Sequence, residues 1–162
     1  MIKNSKPECT WKNKLLLGEG TLWVSSLSSL FFVDIKKKKI LIFNNKTKKK
    51  RVLSTDKEIG FISYINKKKF ILGLKSEIRI VNLINLKTIC SIKVESDKPN
   101  NRINDGKTDP VGRLWFGTLD NFGKRNSGCL YCLDNNLKLH KVDKNYYTAN
   151  GPAFLDKKNF YH

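Results

Sequence analysis

NRINDGKTDPVGRLWFGTLD, residues 101–120, is the stretch whose reading decides the fold. Its first half is polar and rich in turn formers. Asp105 to Arg113 reads as largely turn: Gly106 supplies permissive backbone, Pro110 fixes φ, and Gly112 closes a type I turn in the left-handed conformation. The second half, Leu114 to Gly117, is aromatic and apolar and reads as a core strand.

The same turn-then-strand pattern recurs in SLSSLFFVDI from Ser26, NKKKFILGLK from Asn66 and LDKKNFYH from Leu155. Aligned with Trp115, the strand centres fall at Phe32, Ile71 and Tyr161, giving successive spacings of 39, 44 and 46 residues. A further short strand follows the first three: KILIF from Lys39, EIRIVNL from Glu77 and CLYCLD from Cys129. Several strands per unit, at a period of roughly 40 to 50 residues, point to the blades of a β-propeller. A β-sandwich with evenly spaced hairpins is the alternative. No segment carries a long helical periodicity. The chain is read as one domain, 1–162, with repeats at 15–58, 59–100, 101–147 and an incomplete 148–162.

Eleven residues before Trp115 stands Asn104, and eleven before Tyr161 stands Asn150. Glu19 lies 13 before Phe32, as a longer turn would explain, and the corresponding place in the second unit is Gly60. In a propeller such positions lie on innermost strands and face the central channel. A carboxylate and two amide oxygens converging there would suit a hard cation. The competing reading is three ordinary turn residues at strand starts.

Composition narrows the class. At 162 residues with 40% hydrophobic content, the chain can bury a real core. The formal charge of +18 comes almost entirely from lysine. Runs at 36–39, 48–50 and 67–69 sit between apolar segments and read as solvated turns rather than a nucleic-acid face. No apolar run approaches the ~20 residues that span a membrane, and MIKNSKPECTWKNK lacks the apolar core of a secretory signal. A soluble, cytoplasmic protein is the expectation, with Cys9, Cys90, Cys129 and Cys132 reduced. Cys129 and Cys132 lie three apart in a strand, on opposite faces, and read as buried thiols rather than a metal or redox pair. His140 and His162 accompany no nucleophile motif, and no nucleotide-binding glycine motif is present. Asp105 to Asp109 lacks the ligand spacing of a calcium-binding loop. Asp34 and Asp134 end their strands as turn residues.

LLLGEGTLW (Leu15 to Trp23) followed by LFFVDI (Leu30 to Ile35), the 101–120 stretch, and TANGPAFLDKKNFYH from Thr148 resemble the senescence-marker-protein, gluconolactonase and luciferin-regenerating-enzyme family over almost the whole chain. The resemblance implies an all-β, six-bladed β-propeller, of which this chain holds about three blades plus the start of a fourth, partial and unclosed. It implies one divalent ion in the axial channel, Ca²⁺ or Zn²⁺ foremost, with Mg²⁺ or Mn²⁺ as further candidates. The implied activity is hydrolysis of a sugar lactone or related cyclic ester. Glu19 and Asn150 match the family's metal ligands; Arg102 and Asn104 match its substrate-contacting residues, with Asn104 also near the metal. Asp120 stands near the acidic substrate-binding residue that often follows the GT of the middle motif.

Thr21 replaces the proline that usually follows GEG. The family's general base, an aspartate that also binds the metal, is expected beyond His162, so no catalytic residue is assigned within the chain. The expectation is a fragment, split-gene product or truncated copy whose metal site is completed by the missing C-terminal half. The alternative is an inactive remnant or metal-binding module that self-associates through open sheet edges.

Overall fold

A computed structural model describes residues 6–156 and 159–162. The opening Met1 to Ser5, and Lys157 and Lys158 of the fourth turn, lie outside the described residues. The described residues form fourteen strands: β1 Gly18–Val24, β2 Ser29–Asp34, β3 Lys39–Asn44, β4 Lys50–Ser54, β5 Ile59–Tyr64, β6 Lys69–Leu74, β7 Glu77–Asn82, β8 Lys87–Lys93, β9 Asn101–Thr108, β10 Leu114–Asp120, β11 Gly128–Leu133, β12 Leu139–Tyr146, β13 Ala153–Phe154 and β14 Phe160–Tyr161. They form three four-stranded antiparallel meanders in the orders β1-β2-β3-β4, β5-β6-β7-β8 and β9-β10-β11-β12, and the β13–β14 hairpin opens a fourth sheet. Among the described residues the only helical segment is the three-residue 3-10 turn Ser25–Leu27.

The sheets pack face to face like successive propeller blades, and strand alternation decides which face each side chain serves. Phe31 and Val33 of β2 meet Phe70, Leu72 and Leu74 of β6 in a core between the first and second sheets. Ile71 of β6 turns the other way, joining Phe61, Leu114 and Phe116 between the second and third. Trp115 faces Phe154 and Phe160 of the fourth. A β-sandwich has no such succession of cores, so the blade reading holds.

The faces correct the alignment of the repeats by one residue. Phe31, not Phe32, corresponds to Ile71 and Trp115, because all three point at the next sheet. Phe32 lies on the opposite face, against Trp11 with ring centroids 5.7 Å apart. Aromatic content cannot separate two adjacent phenylalanines, yet a slip of one residue exchanges the faces.

The turn assigned to residues 105–113 is also shorter than expected, since β9 continues through Thr108. Gly106 serves close packing instead of a turn: a Cβ there would meet the Phe61 ring at 2.5 Å. The actual turn is Asp109 to Gly112, closed by Gly112 N donating to the Asp109 carbonyl at 3.0 Å, with Gly112 at φ +90. Asp109 is buried and accepts from the amides of Val111 and Arg113, from Arg113 Nε at 2.6 Å, and from Trp115 Nε1 at 3.0 Å.

β5 packs beside both β1 and β9, so the first strand of each sheet is innermost. The last strands, β4, β8 and β12, are mostly exposed and carry lysines, which discourage pairing at an open edge. Of the lysine runs, residues 36–38, 48–49 and 67–68 lie in the connections between strands, whereas Lys39, Lys50 and Lys69 open β3, β4 and β6. Cys129 and Cys132 are buried in different cores on opposite faces of β11.

Candidate metal and substrate site

The innermost strands of the first three sheets, β1, β5 and β9, each carry one extra residue relative to their neighbour near the same level. Three steps of β1, Glu19 to Leu22, oppose two of β2; two of β5, Ile59 to Phe61, oppose one of β6; three of β9, Ile103 to Gly106, oppose two of β10. Such β-bulges re-aim side chains. In β1 the bulge includes Gly20, at φ +59, a conformation that favours glycine. The bulges place Glu19, Gly60, Asn104 and Asp105 around one cavity of about 200 Å³, which Arg102 and Asn150 also line.

Gly60 is glycine for a steric reason. A Cβ built there would lie 1.9 Å from the Asn104 carbonyl oxygen. The backbones of β5 and β9 therefore touch where other sheets project side chains, and the cavity keeps its space. Backbone bonding completes the seam, with Ile103 N donating to the Lys75 carbonyl at 2.7 Å.

Asn104 is held from three directions. Its Oδ1 accepts from Arg102 Nη1 at 2.9 Å, while Nδ2 donates to the Ala149 carbonyl at 3.1 Å and to Asn150 Oδ1 at 3.4 Å. Asn150 Oδ1 also accepts from Gly151 N at 3.2 Å. Arg102 is buried; its Nε donates to Asn121 Oδ1 at 3.0 Å and its Nη1 to the Ile103 carbonyl at 3.1 Å. Among the described residues Nη2 has no partner and remains available to a ligand. Burial lowers the Arg102 pKa, with Glu58 and Glu19 acting in the opposite sense.

Behind Arg102 a polar relay crosses three sheets. Asn121 Nδ2 donates to Glu58 Oε2 at 3.3 Å, and Lys36 Nζ donates to Glu58 Oε1 at 2.9 Å and Asn121 Oδ1 at 3.0 Å. Lys36 comes from the β2–β3 turn, Glu58 from the connection before β5, and Asn121 from the end of β10. Only the packed structure brings these three together.

Asp105 is a cavity residue that the sequence reading assigned to a turn. One oxygen accepts from Gly106 N at 2.8 Å. Burial, together with the nearby Glu19 charge, pushes its pKa up, although the Gly106 and Gly151 amides and Lys107 pull it down. In a regular strand Asn104 and Asp105 would face opposite ways; the bulge lets both line the cavity. The one signal in the sequence was adjacency to Asn104.

Asp120 is not brought together with the other four. It is buried, and its carboxylate accepts from Lys124 N at 2.8 Å and Arg125 N at 3.2 Å, shaping the β10–β11 connection. It lines a separate cavity with Lys98, Asn101 and Ser127. Its neighbour Asn121 is the residue that reaches Arg102.

The donor set suits a hard cation. Glu19 and Asp105 are carboxylates lining the same cavity, the Glu19 charge adding to the rise of the Asp105 pKa, and Asn150 adds an amide oxygen. A divalent ion would relieve that like-charge repulsion. Among the described residues no cluster of three or more His, Cys, Asp or Glu side chains is placed to hold a metal; the oxygen groups lining this cavity are the Glu19 and Asp105 carboxylates and the Asn104 and Asn150 amides.

Comparison with known proteins gives the same placement of the chain. The sequence model of the SMP-30/Gluconolactonase/LRE-like region matches residues 17–162. Regucalcin of Xenopus laevis is 31% identical over 170 residues, covering 99% of this chain and 56% of that protein. A solved luciferin-regenerating enzyme superposes with a TM-score of 0.80 at 31% identity, over 87% of this chain and 50% of that one. Regucalcin from Agrobacterium tumefaciens, described as a calcium-binding protein, gives 0.84 at 21% identity, over 90% and 49%. The chain thus spans about half the length of the curated relatives it matches.

Proposed function

The chain belongs to the SMP-30/Gluconolactonase/LRE-like family, and we propose that it provides one wall of a divalent-metal-dependent hydrolase acting on a sugar lactone or related cyclic ester. The observation that carries this is the convergence of Glu19, Arg102, Asn104 and Asn150 on a single cavity. We place the general base on polypeptide beyond these 162 residues, which would also complete the ring.

Glu19 and Asn150 would hold the ion, with Asp105 adjoining. Lewis acidity toward the ester carbonyl is what such an ion supplies when bound. Only oxygen donors, and no histidine or cysteine, come from the described residues lining the cavity; this supports Ca²⁺, Mg²⁺ or Mn²⁺ over Zn²⁺. Arg102 would donate through Nη2 to a ring hydroxyl or to the carboxylate that develops on hydrolysis. Asn104, fixed on both sides of its amide, would orient the ring. Soluble operation in the cytoplasm remains part of the proposal; among the described residues no helix is long and apolar enough to cross a membrane.

The test measures hydrolysis of glucono-1,5-lactone with each divalent ion in turn. It uses the chain alone and the chain co-expressed with the C-terminal half of a family member. Metal-dependent turnover in the co-expressed sample, lost on Arg102→Ala, supports the reading. Metal binding with no turnover in either sample would replace it with a metal-binding interaction module.

A further inference from the structure

A second cavity, which the proposed chemistry does not use, lies at the opposite ends of the sheets. It opens between the first and second sheets, where the β1–β2, β3–β4, β5–β6 and β7–β8 turns gather, and its volume is about 320 Å³. Its floor is apolar and recessed: Phe31, Ile42 and Phe70 line it with exposures of 2%, 7% and 0%. Leu27, Leu83 and the exposed Ile84 form its lip.

Lys49, Arg51 and Lys67 also line this cavity, and all three are exposed. Among the described residues no aspartate or glutamate lines it, and none of the three cations has a carboxylate or side-chain hydrogen-bond partner. The neutral polar groups are occupied with one another: Asn44 Nδ2 donates to Ser29 Oγ at 3.0 Å, and the Thr47 amide and hydroxyl donate to Asn44 Oδ1 at 2.8 and 3.0 Å. The cations are therefore the groups left for a ligand. Three like charges round an apolar recess are complementary to a molecule with one negative head and an apolar tail.

We propose that this cavity binds a free anionic amphiphile, a carboxylate with a single unbranched acyl chain. The chain lies in the recess against the accessible apolar lining, Leu27, Ile42, Leu83 and Ile84. The carboxylate meets Arg51, whose planar fork suits it, with Lys49 and Lys67 adding charge. The confined volume of about 320 Å³ argues for a single free molecule over a bilayer surface, which would meet an extended exposed face rather than a recess. The volume lies at the small end of ligand pockets, roughly 300–1,000 Å³, which limits the occupant to one chain.

The experiment titrates the 162-residue protein with dodecanoate below its micelle concentration, by calorimetry and by amide chemical-shift mapping. The expected result is saturable one-to-one binding with shifts confined to Thr47, Lys67, Phe70 and Ile84 and their neighbours. The double variant Arg51→Glu, Lys67→Glu should bind at least tenfold more weakly, and its exposed positions leave the fold intact. Uncharged dodecanol should likewise bind at least tenfold more weakly. Equal binding of dodecanol or equal binding by the double variant would overturn the proposal. So would shifts elsewhere, or association with anionic phosphatidylserine vesicles in place of free dodecanoate. None of these measurements involves Glu19 or Asn150, so the result is independent of the hydrolase reading.

Discussion

At the scale of single residues, the candidate site depends as much on an absent side chain as on those present. Gly60 lets β5 meet β9, and a methyl group there has nowhere to go. Gly60→Ala is expected to cost about 2–3 kcal/mol, in the range of overpacked cores, measured as a lower urea midpoint with an unchanged slope. It should also displace Asn104, seen as loss of lactone turnover in the complemented protein. Glu19 makes the opposite kind of prediction. It is exposed to the cavity, and among the described residues its side chain has no hydrogen-bond partner. Glu19→Gln should therefore leave folding unchanged while weakening divalent-ion binding tenfold or more by calorimetry. Glu19, Asn104 and Asn150 could be named from the sequence by both spacing and motif, and Arg102 by the motif alone. Asp105, Asn121 and Glu58 could not. Their roles come from a bulge and from contacts between sheets, and neither leaves a local pattern.

At the scale of elements, two buried carboxylates stabilise the third sheet. Asp109 closes the β9–β10 turn and satisfies the Trp115 indole. Asp109→Ala leaves that buried N–H without an acceptor, so a loss of about 2–3 kcal/mol is expected in denaturant unfolding. Glu95 accepts from Lys98 Nζ at 2.9 Å, Asn101 Nδ2 at 2.8 Å and Tyr131 OH at 3.0 Å. Burial alone would raise its pKa, but donors led by Asn101 and Lys98 hold it below the ordinary value of 4.5. The stability it contributes is thus fully present above about pH 4.5 and is lost as pH falls through the lower folded value. A Glu95→Gln variant should be less stable at pH 7. Its deficit relative to the parent should shrink as acid is added, followed by urea unfolding across pH 7 to 3. The strands themselves were legible, since their short apolar runs end in Lys, Asn, Gly and Asp clusters. The end of β9 was not, because Asp105 and Gly106 carry strong turn preferences that packing against Phe61 overrides.

At the scale of the whole molecule, the sheets are coupled by aromatic contacts through glycine-lined gaps. The Phe61 ring lies where a Cβ on Gly73 or Gly106 would stand, at 2.3 and 2.5 Å, and its centroid is 6.3 Å from that of Phe116. Phe61→Ala should cost about 3–5 kcal/mol, a large share of the roughly 5–15 kcal/mol by which domains are stable. It should split unfolding into two transitions by separating the second and third sheets, as amide exchange would report. The sequence by itself determined that the chain is all-β, that its units repeat every forty-odd residues, and which family it belongs to. Strand alternation, turn chemistry and a long contiguous motif are local properties. Only the tertiary structure decided which of two adjacent phenylalanines faces the next blade, that bulges turn both Asn104 and Asp105 into the cavity, and that Asn121, rather than Asp120, supports Arg102. Each of these depends on register, and a shift of one residue leaves composition and spacing almost unchanged while sending every side chain to the other face.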